Sequence, residues 1–331
     1  MNKTLDFFYK HASIRMENIF KELKKVIVHL IKERILLFTY YDVSLKRKTS
    51  KQLLVSIFDD RRNSFGLTDR FKGIVSLYAY SKIKNIDYRC YFTYPFELSK
   101  FLVPNKYNWS LKDNELSTNL VGVKVLILHG EKGKRLISLR SEKQVHAYIN
   151  RDYIPLLNKL CGTNFLWGDL FNELFRPSPE LEDCINYSLD KTGKDYIGCV
   201  FRFQSLLGDF KEYNFAILNK NENQKLINKC IDALLKLQKE LIKPILVTSD
   251  STTFLSEISS IEGIVTIPGK VVHLDCTDTE SDDVYMKSFV DFIMLSKAEK
   301  IYSIGTDQMY PTEFPLYAAK INNIPFERIL I

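Results

Sequence analysis

The stretch Leu53-Leu54-Val55-Ser56-Ile57-Phe58-Asp59-Asp60-Arg61-Arg62-Asn63-Ser64-Phe65-Gly66 decides the fold. A short, almost wholly apolar run that stops at a polar turn predicts a strand buried on both faces. Past Gly66, Asp69 can cap a helix reaching about Tyr80, with Phe71, Ile74, Val75 and Tyr78 on its inner side. A strand feeding a helix is the unit of a parallel sheet, and the alternation recurs outward. Strands are expected over 88–93 and 123–128, then over 196–203, 244–248, 300–304 and 326–330. Helices are expected over 223–241, 284–295 and 312–321, while 150–195 reads as mostly helical and aromatic, broken at Arg176-Pro177-Ser178-Pro179. The expected organisation is a leader (1–52), an α/β domain with that helical segment (53–190) and a second α/β domain (191–331). The fold class is therefore α/β: two Rossmann-like, doubly wound halves facing a cleft, with ligands beyond the carboxyl ends of the strands.

Composition narrows the function. The chain has 331 residues, 45% hydrophobic and 26% charged, with too few glycines (13) and prolines (10) for a fibrous or low-complexity protein. Its six cysteines form no C-x-x-C pair, which argues for reduced, buried thiols rather than a disulfide framework or zinc cage. No apolar run approaches the roughly 20 residues that cross a bilayer, and the first residues lack a secretory pattern, so a cytoplasmic protein is expected. The net charge of +7 lies entirely in residues 1–52, with 12 Lys and Arg against 5 Asp and Glu; the remainder holds 35 of each sign. A nucleic-acid enzyme would line its body with basic residues, so no nucleic-acid partner is expected. Within the leader, Met16, Phe20, Leu23, Ile27 and Leu30 make one helical stripe, and Lys21, Lys25, His29 and Lys32 fall on another face. Three readings fit: a helix packed on the body, peripheral contact of residues 1–40 with an anionic membrane, or a short pairing between subunits.

The strand ends supply the candidate site. Gly66-Leu67-Thr68-Asp69-Arg70 opens a helix and can present backbone N–H groups to an anion, or be a plain turn; it is neither G-x-G-x-x-G nor a Walker loop. Arg202 lies in an apolar strand and needs an anionic partner, either a carboxylate of the fold or a ligand phosphate. Thr248-Ser249-Asp250 can cap a helix, and Gly305-Thr306-Asp307-Gln308 repeats the pattern of glycine, hydroxyl and amide. Together these loops suit a nucleotide diphosphate in the cleft. No metal-ligand spacing occurs among His11, His29, His129, His146 and His273.

These motifs, in this order, resemble the GT-B fucosyltransferase superfamily, which includes α1,2-, α1,6- and protein O-fucosyltransferases. The glycine loop is GLTDRFKG (66–73), the aromatic segment LFRPSPEL (174–181), the arginine strand VFRFQS (200–205), and Thr248-Ser249-Asp250 follows. Asp291, LSKA (295–298), a strand and Gly305-Thr306-Asp307 close the series. The resemblance implies an inverting, metal-independent transferase that needs no cofactor and moves fucose or a related sugar from a GDP-sugar to a glycan hydroxyl, in surface-polysaccharide or glycoconjugate assembly. It implies that Arg202 meets the β-phosphate, Asp291 the nucleoside end, and Thr306 or Asp307 the phosphates. Gly66, Asp69 and Arg70 would then form a lip of the cleft. Val200, Phe203 and Ser205 stand where the family often has His, Arg and Asp. Asp209 and Glu212 are the candidate bases, Asp209 preferred because Gly208 lets the chain turn toward the cleft. A non-catalytic glycan-binding relative is the alternative, and a dehydrogenase is disfavoured by the missing dinucleotide fingerprint.

Overall fold

The computed structural model describes residues 20, 23–24, 26–42, 52–62, 65–112, 114–129, 133–139, 143–209, 217–269, 274 and 282–331. The apolar run Leu53–Phe58 is strand β1, buried at every position. It is joined by β2 (Asp87–Phe92), β4 (Val123–Ile127) and β5 (Gln144–Tyr148) in a parallel sheet of order β2-β1-β5-β4. The second half contributes β7 (Ile197–Phe201), β8 (Ile245–Ser249), β9 (Ile264–Thr266), β10 (Ile301–Gly305) and β11 (Phe326–Leu330). These form an all-parallel sheet of order β11-β10-β7-β8-β9. The chain winds outward from β7 to β9 and returns on the other side, so the crevice between β7 and β10 is where a ligand is expected.

Ten helices cover the sheets among the described residues: α1 (26–40), α2 (Leu67–Lys84), α3 (Lys134–Ile137), α4 (Ile154–Cys161), α5 (Trp167–Leu174), α6 (Pro179–Thr192), α7 (Lys220–Leu241), α8 (Thr252–Ile258), α9 (Met286–Ser296) and α10 (Phe314–Asn322). Helix α7 begins in a capping box, Asn219 accepting from the Glu222 amide while Glu222 reaches back to the Asn219 amide. The first part of the leader, including Met16, Lys21 and Lys25, lies outside the described residues.

Three features differ from expectation. Strand β5 reads too polar to be a buried strand, yet every residue of Gln144–Tyr148 is buried. Its polar groups are satisfied in place: the Tyr41 hydroxyl lies 2.6 Å from His146 Nδ1, and Gln144 Oε1 lies 2.6 Å from His146 Nε2 and accepts from the Ser117 amide. Burial pushes the His146 imidazole down to about 3, so it stays neutral. At the expected break in the 150–195 segment the chain forms a strand, β6 (Phe175–Pro177), which pairs antiparallel with β3 (Leu102–Pro104) of the preceding region. Of the cysteines, Cys90, Cys199 and Cys230 are buried, whereas Cys161 is exposed and Cys184 half-buried.

The two halves share one apolar core. Helix α2 is buried from Arg70 to Ser81 because it has packed surface on all sides. Its Phe71 ring meets Phe171 and Phe175 of the aromatic segment, at 5.2 and 5.8 Å, and Phe292 and Phe289 of α9, at 5.6 and 6.3 Å. Such ring pairs add about 0.5–1.5 kcal/mol each beyond area burial. Nearby, α5 crosses α10 so closely that a Cβ on Gly168 would stand 1.9 Å from the Lys320 carbonyl oxygen. Gly168→Ala is therefore expected to push the two helices apart and cost about 1–3 kcal/mol or more. A urea unfolding midpoint lower than wild type at unchanged slope is the expected readout.

Candidate active site

A cleft of about 260 Å³ opens where the carboxyl ends of β7 and β8 face the amino end of α2. From the first half come Gly66, Leu67, Thr68, Asp69 and Lys72; from the second come the loops after β7 and β8, Ser288 and Asp291 of α9, and Tyr310 to Phe314. Gly66 is the N-cap of α2 and offers no side-chain cap, so the first-turn N–H groups are left for another acceptor. A Cβ at Gly66 would meet nothing within 4 Å, so this lip of the cleft has open space beside the backbone.

Arg202 follows β7 directly, and its side chain lines the cleft with 21% exposure. Both partners considered for it bear on the outcome. The internal carboxylate exists: Asp250 Oδ2 lies 3.0 Å from Arg202 Nη1. The guanidinium nevertheless stays on the cleft wall. Asp250 also accepts from the amides of Phe203 and Gln204, at 2.8 and 2.7 Å. Burial pushes the Asp250 carboxyl up, opposed by Arg202 and those two amides. One carboxylate thus fixes both the arginine and the turn behind it, where Gln204 takes a positive φ of 53°.

A second pair lies on α9. Lys287 Nζ is 2.9 Å from both oxygens of Asp291, and both side chains are nearly inaccessible. Burial raises the Asp291 carboxyl, and Lys287 opposes the shift. The third ionic group bridges the halves. Lys72 Nζ donates to Asp69 Oδ1 at 2.7 Å and to Glu313 Oε2, and lies 4.9 Å from the centre of the Tyr317 ring. Burial would lower the Lys72 pKa; its hydrogen bonds to the two carboxylates outweigh that and raise it.

Of the residues expected here, Gly66, Asp69, Arg202, Thr248, Asp250 and Asp291 do meet around the cleft. Four expectations need correction. Arg70 is fully buried and structural, donating to the carbonyls of Phe65, at 2.9 Å, and of Tyr94, with its guanidinium 4.9 Å from the centre of the Phe92 ring. Thr306 and Asp307 do not line the cleft: the Thr306 hydroxyl accepts from the Gln308 amide at 3.3 Å, and Asp307 faces outward. Their place is taken by Tyr310, Thr312 and Glu313, because buried Met309 anchors the turn against Cys230 and carries the following residues over the opening. Asp209 is not poised as a base. Its carboxylate accepts from Ser251 Oγ (2.5 Å), Thr252 Oγ1 (2.7 Å), the Thr253 amide (3.0 Å) and Thr253 Oγ1 (2.9 Å), tying its loop to the start of α8. Glu212 lies outside the described residues. Lys72 and Glu313 went unrecognised; the one sequence signal for Glu313 is its place before Phe314-Pro315, a helix start at a strand's exit. No group of three potential metal ligands occurs among the described residues.

No protein-family model matches the sequence, and no curated protein does. Solved structures do resemble the fold. A mutant of Arabidopsis thaliana FUT1 in complex with GDP superposes with a TM-score of 0.54 at 12% identity, over 86% of this chain and 72% of the other. NodZ α-1,6-fucosyltransferase co-crystallized with GDP gives 0.51 at 12% identity, over 82% of this chain and 92% of its own. NodZ from Bradyrhizobium gives 0.50 with the same identity and coverage. The chain has the GT-B fold of these fucosyltransferases.

The four hydrogen bonds on Asp209 yield a prediction that separates a structural carboxylate from a catalytic one. Burial would raise its pKa, but the donors of Ser251, Thr252 and Thr253 hold it below the ordinary 3.8. Asp209→Ala is expected to cost about 1–2 kcal/mol of stability, as for a lost helix cap. A depressed folded-state pKa contributes stability that is complete above the unfolded value and fades as pH falls through the folded one. The stability gap between wild type and Asp209→Ala, followed by urea titration, should therefore close on acidification below about pH 4.

Proposed function

We propose that the protein is an inverting glycosyltransferase that moves fucose or a related sugar from a GDP-sugar donor to a glycan hydroxyl. The observation that carries this reading is the Arg202 guanidinium, held by Asp250 on the wall of a cleft at the strand ends of a GT-B fold. Similar folds hold GDP in solved structures of fucosyltransferases, which supports a GDP-sugar as the donor class. Breaking the bond to the sugar leaves negative charge on the diphosphate. Arg202 offers a planar fork of N–H donors already oriented for it, and the uncapped amino end of α2 adds aligned amides. Thr248, Ser249, Ser288 and Thr312 supply hydroxyls on the same lining.

Transfer with inversion also needs a group to take the acceptor proton from the face opposite the leaving diphosphate. With Asp209 occupied and Asp250 and Asp291 each buried against a cation, Asp69 and Glu313 are the carboxylates of the described lining that reach solvent. Both accept from the Lys72 ammonium, which positions them. One of them takes the proton in this reading, a role worth about 10²–10⁴ in rate.

GDP and GDP-fucose, but not NADH, are expected to raise the melting temperature, since ligand at 100 times its Kd adds about 2.7 kcal/mol. Arg202→Lys keeps a cation beside Asp250 yet loses the fork, so GDP affinity by calorimetry should fall about 10- to 100-fold with the fold intact. Unchanged affinity would remove Arg202 from the donor site. Of Asp69→Asn and Glu313→Gln, one should lower kcat by about two orders of magnitude or more while GDP binding persists. If both variants keep full kcat, neither carboxylate is the base.

A further inference from the structure

Helix α1 is amphipathic twice over. Its inner face is fixed to the first sheet: buried Glu33 accepts from the Ile127 amide at 2.7 Å and pairs with Arg135 at 2.6 and 2.8 Å. Leu36, Leu37 and Tyr41 pack with Val55, Ile57, Val125 and Ile127. The helix is thus held in place by an ion pair and an apolar seam, and its other face has a set direction.

That other face is not polar. Ile27, Leu30, Ile31, Ile35 and Phe38, at helical spacing, all lie open to solvent, Ile35 at 59% and Phe38 at 69% exposure. Phe20 and Leu23 extend the stripe and are also exposed. A continuous apolar patch of this kind on a charged surface marks a contact, because scattered exposure would not align along one helix. The residues flanking it are basic. The sequence from Phe20 to Arg34 holds five Lys and Arg against two Glu, one of which is the inward Glu33. Lys24, Lys32 and Arg34 are exposed on the same side of the helix, and Arg34 stands within the stripe, where its long side chain can reach out from among Leu30, Ile31 and Phe38 to the headgroups.

From this juxtaposition we infer that α1 docks the protein flat on an anionic lipid bilayer, with the apolar stripe among the acyl chains and the lysines at the headgroups. Charge selects this occupant. A second copy brought onto the stripe would set like-charged residues face to face, whereas anionic headgroups complement them. The helix lies on the surface rather than crossing it: no helix among the described residues is long and apolar enough to span a membrane. Nothing in the inference depends on the donor or the reaction, so it stands or falls apart from the proposed activity.

The test uses the full chain and co-sedimentation with vesicles of phosphatidylcholine, with and without phosphatidylglycerol. Binding is expected to the anionic vesicles and to weaken with salt. The double variant Ile31→Glu/Ile35→Glu should reduce it more than about tenfold, and Lys24→Glu/Lys32→Glu likewise. All four side chains are exposed, so an unchanged melting temperature checks that the fold survives. Deleting the helix would be a poorer probe, because it would strip Glu33, Leu36 and Leu37 from the sheet. Absence of binding by the full chain, or equal binding by the variants, would overturn the inference. So would a stripe-dependent dimer in sedimentation velocity that ignores vesicles.

Discussion

The packing of Phe71 is the constraint from which the site follows. This ring sits between Arg70 and Lys72 near the start of α2, and it contacts aromatic rings from the linking segment and from α9. A helix that belongs by chain order to the first half is thereby locked into the second. Its uncapped amino end is aimed at the exits of β7 and β8, and Lys72 is brought within reach of Glu313, more than two hundred residues away in sequence. Opening the cleft would pull apart an apolar core, which costs far more than a surface contact. The cleft is therefore built before a ligand arrives, and little of the binding energy goes into ordering it.

Within that frame, Asp250 organises the wall of the cleft by holding Arg202 and the turn behind it. A buried carboxylate with a single partner would be costly; three donors from one turn make it tolerable. The same three contacts fix the orientation of the Arg202 guanidinium and the left-handed turn at Gln204. The Lys287–Asp291 pair adds a second neutralised charge to the floor. Phe203 takes no part in the cleft: it is buried against Phe254, 5.0 Å between ring centres, on the far side of the strand end.

How much of this was legible depended on whether a residue's role was local. β1 and β7 announce themselves because an apolar run needs no partner to be recognised as buried. The rule that ligands lie beyond the carboxyl ends of strands then brings Gly66, Arg202, Thr248 and Asp250 to one place, although the cleft forms at the ends of β7 and β8 rather than at the β7–β10 crevice. Strand β5 was hidden because His146 and Gln144 are silent until Tyr41 and Ser117 arrive to satisfy them. Arg70 and Asp209 misled for the converse reason. Each carries a group fit for ligand chemistry, and only the tertiary fold shows it spent on carbonyls of the chain or hydroxyls of α8. The leading helix shows a further limit of pattern reading: its apolar periodicity identifies a stripe but not the direction it faces, and here the buried face is the one bearing Glu33.

The charge inventory of the cleft limits how an anionic donor can be recognised there. The described lining carries the carboxylates of Asp69, Asp250, Asp291 and Glu313 and the cations of Lys72 and Arg202, with Lys287 behind Asp291. Every one of those acids already faces a cation, and the acids outnumber the cations. A groove of this balance exerts little long-range pull on a diphosphate, unlike one lined by unpaired lysines. In the proposed reading, the described lining meets the donor with short-range, directional groups: the guanidinium plane, the amides at the start of α2 and the hydroxyls of Thr248, Ser249, Ser288 and Thr312. Such contacts act over hydrogen-bond distances and are screened less by salt than exposed charges. In the proposed transfer they would also strengthen as charge moves onto the diphosphate oxygens, which would place their greatest benefit in the transition state rather than in ground-state binding.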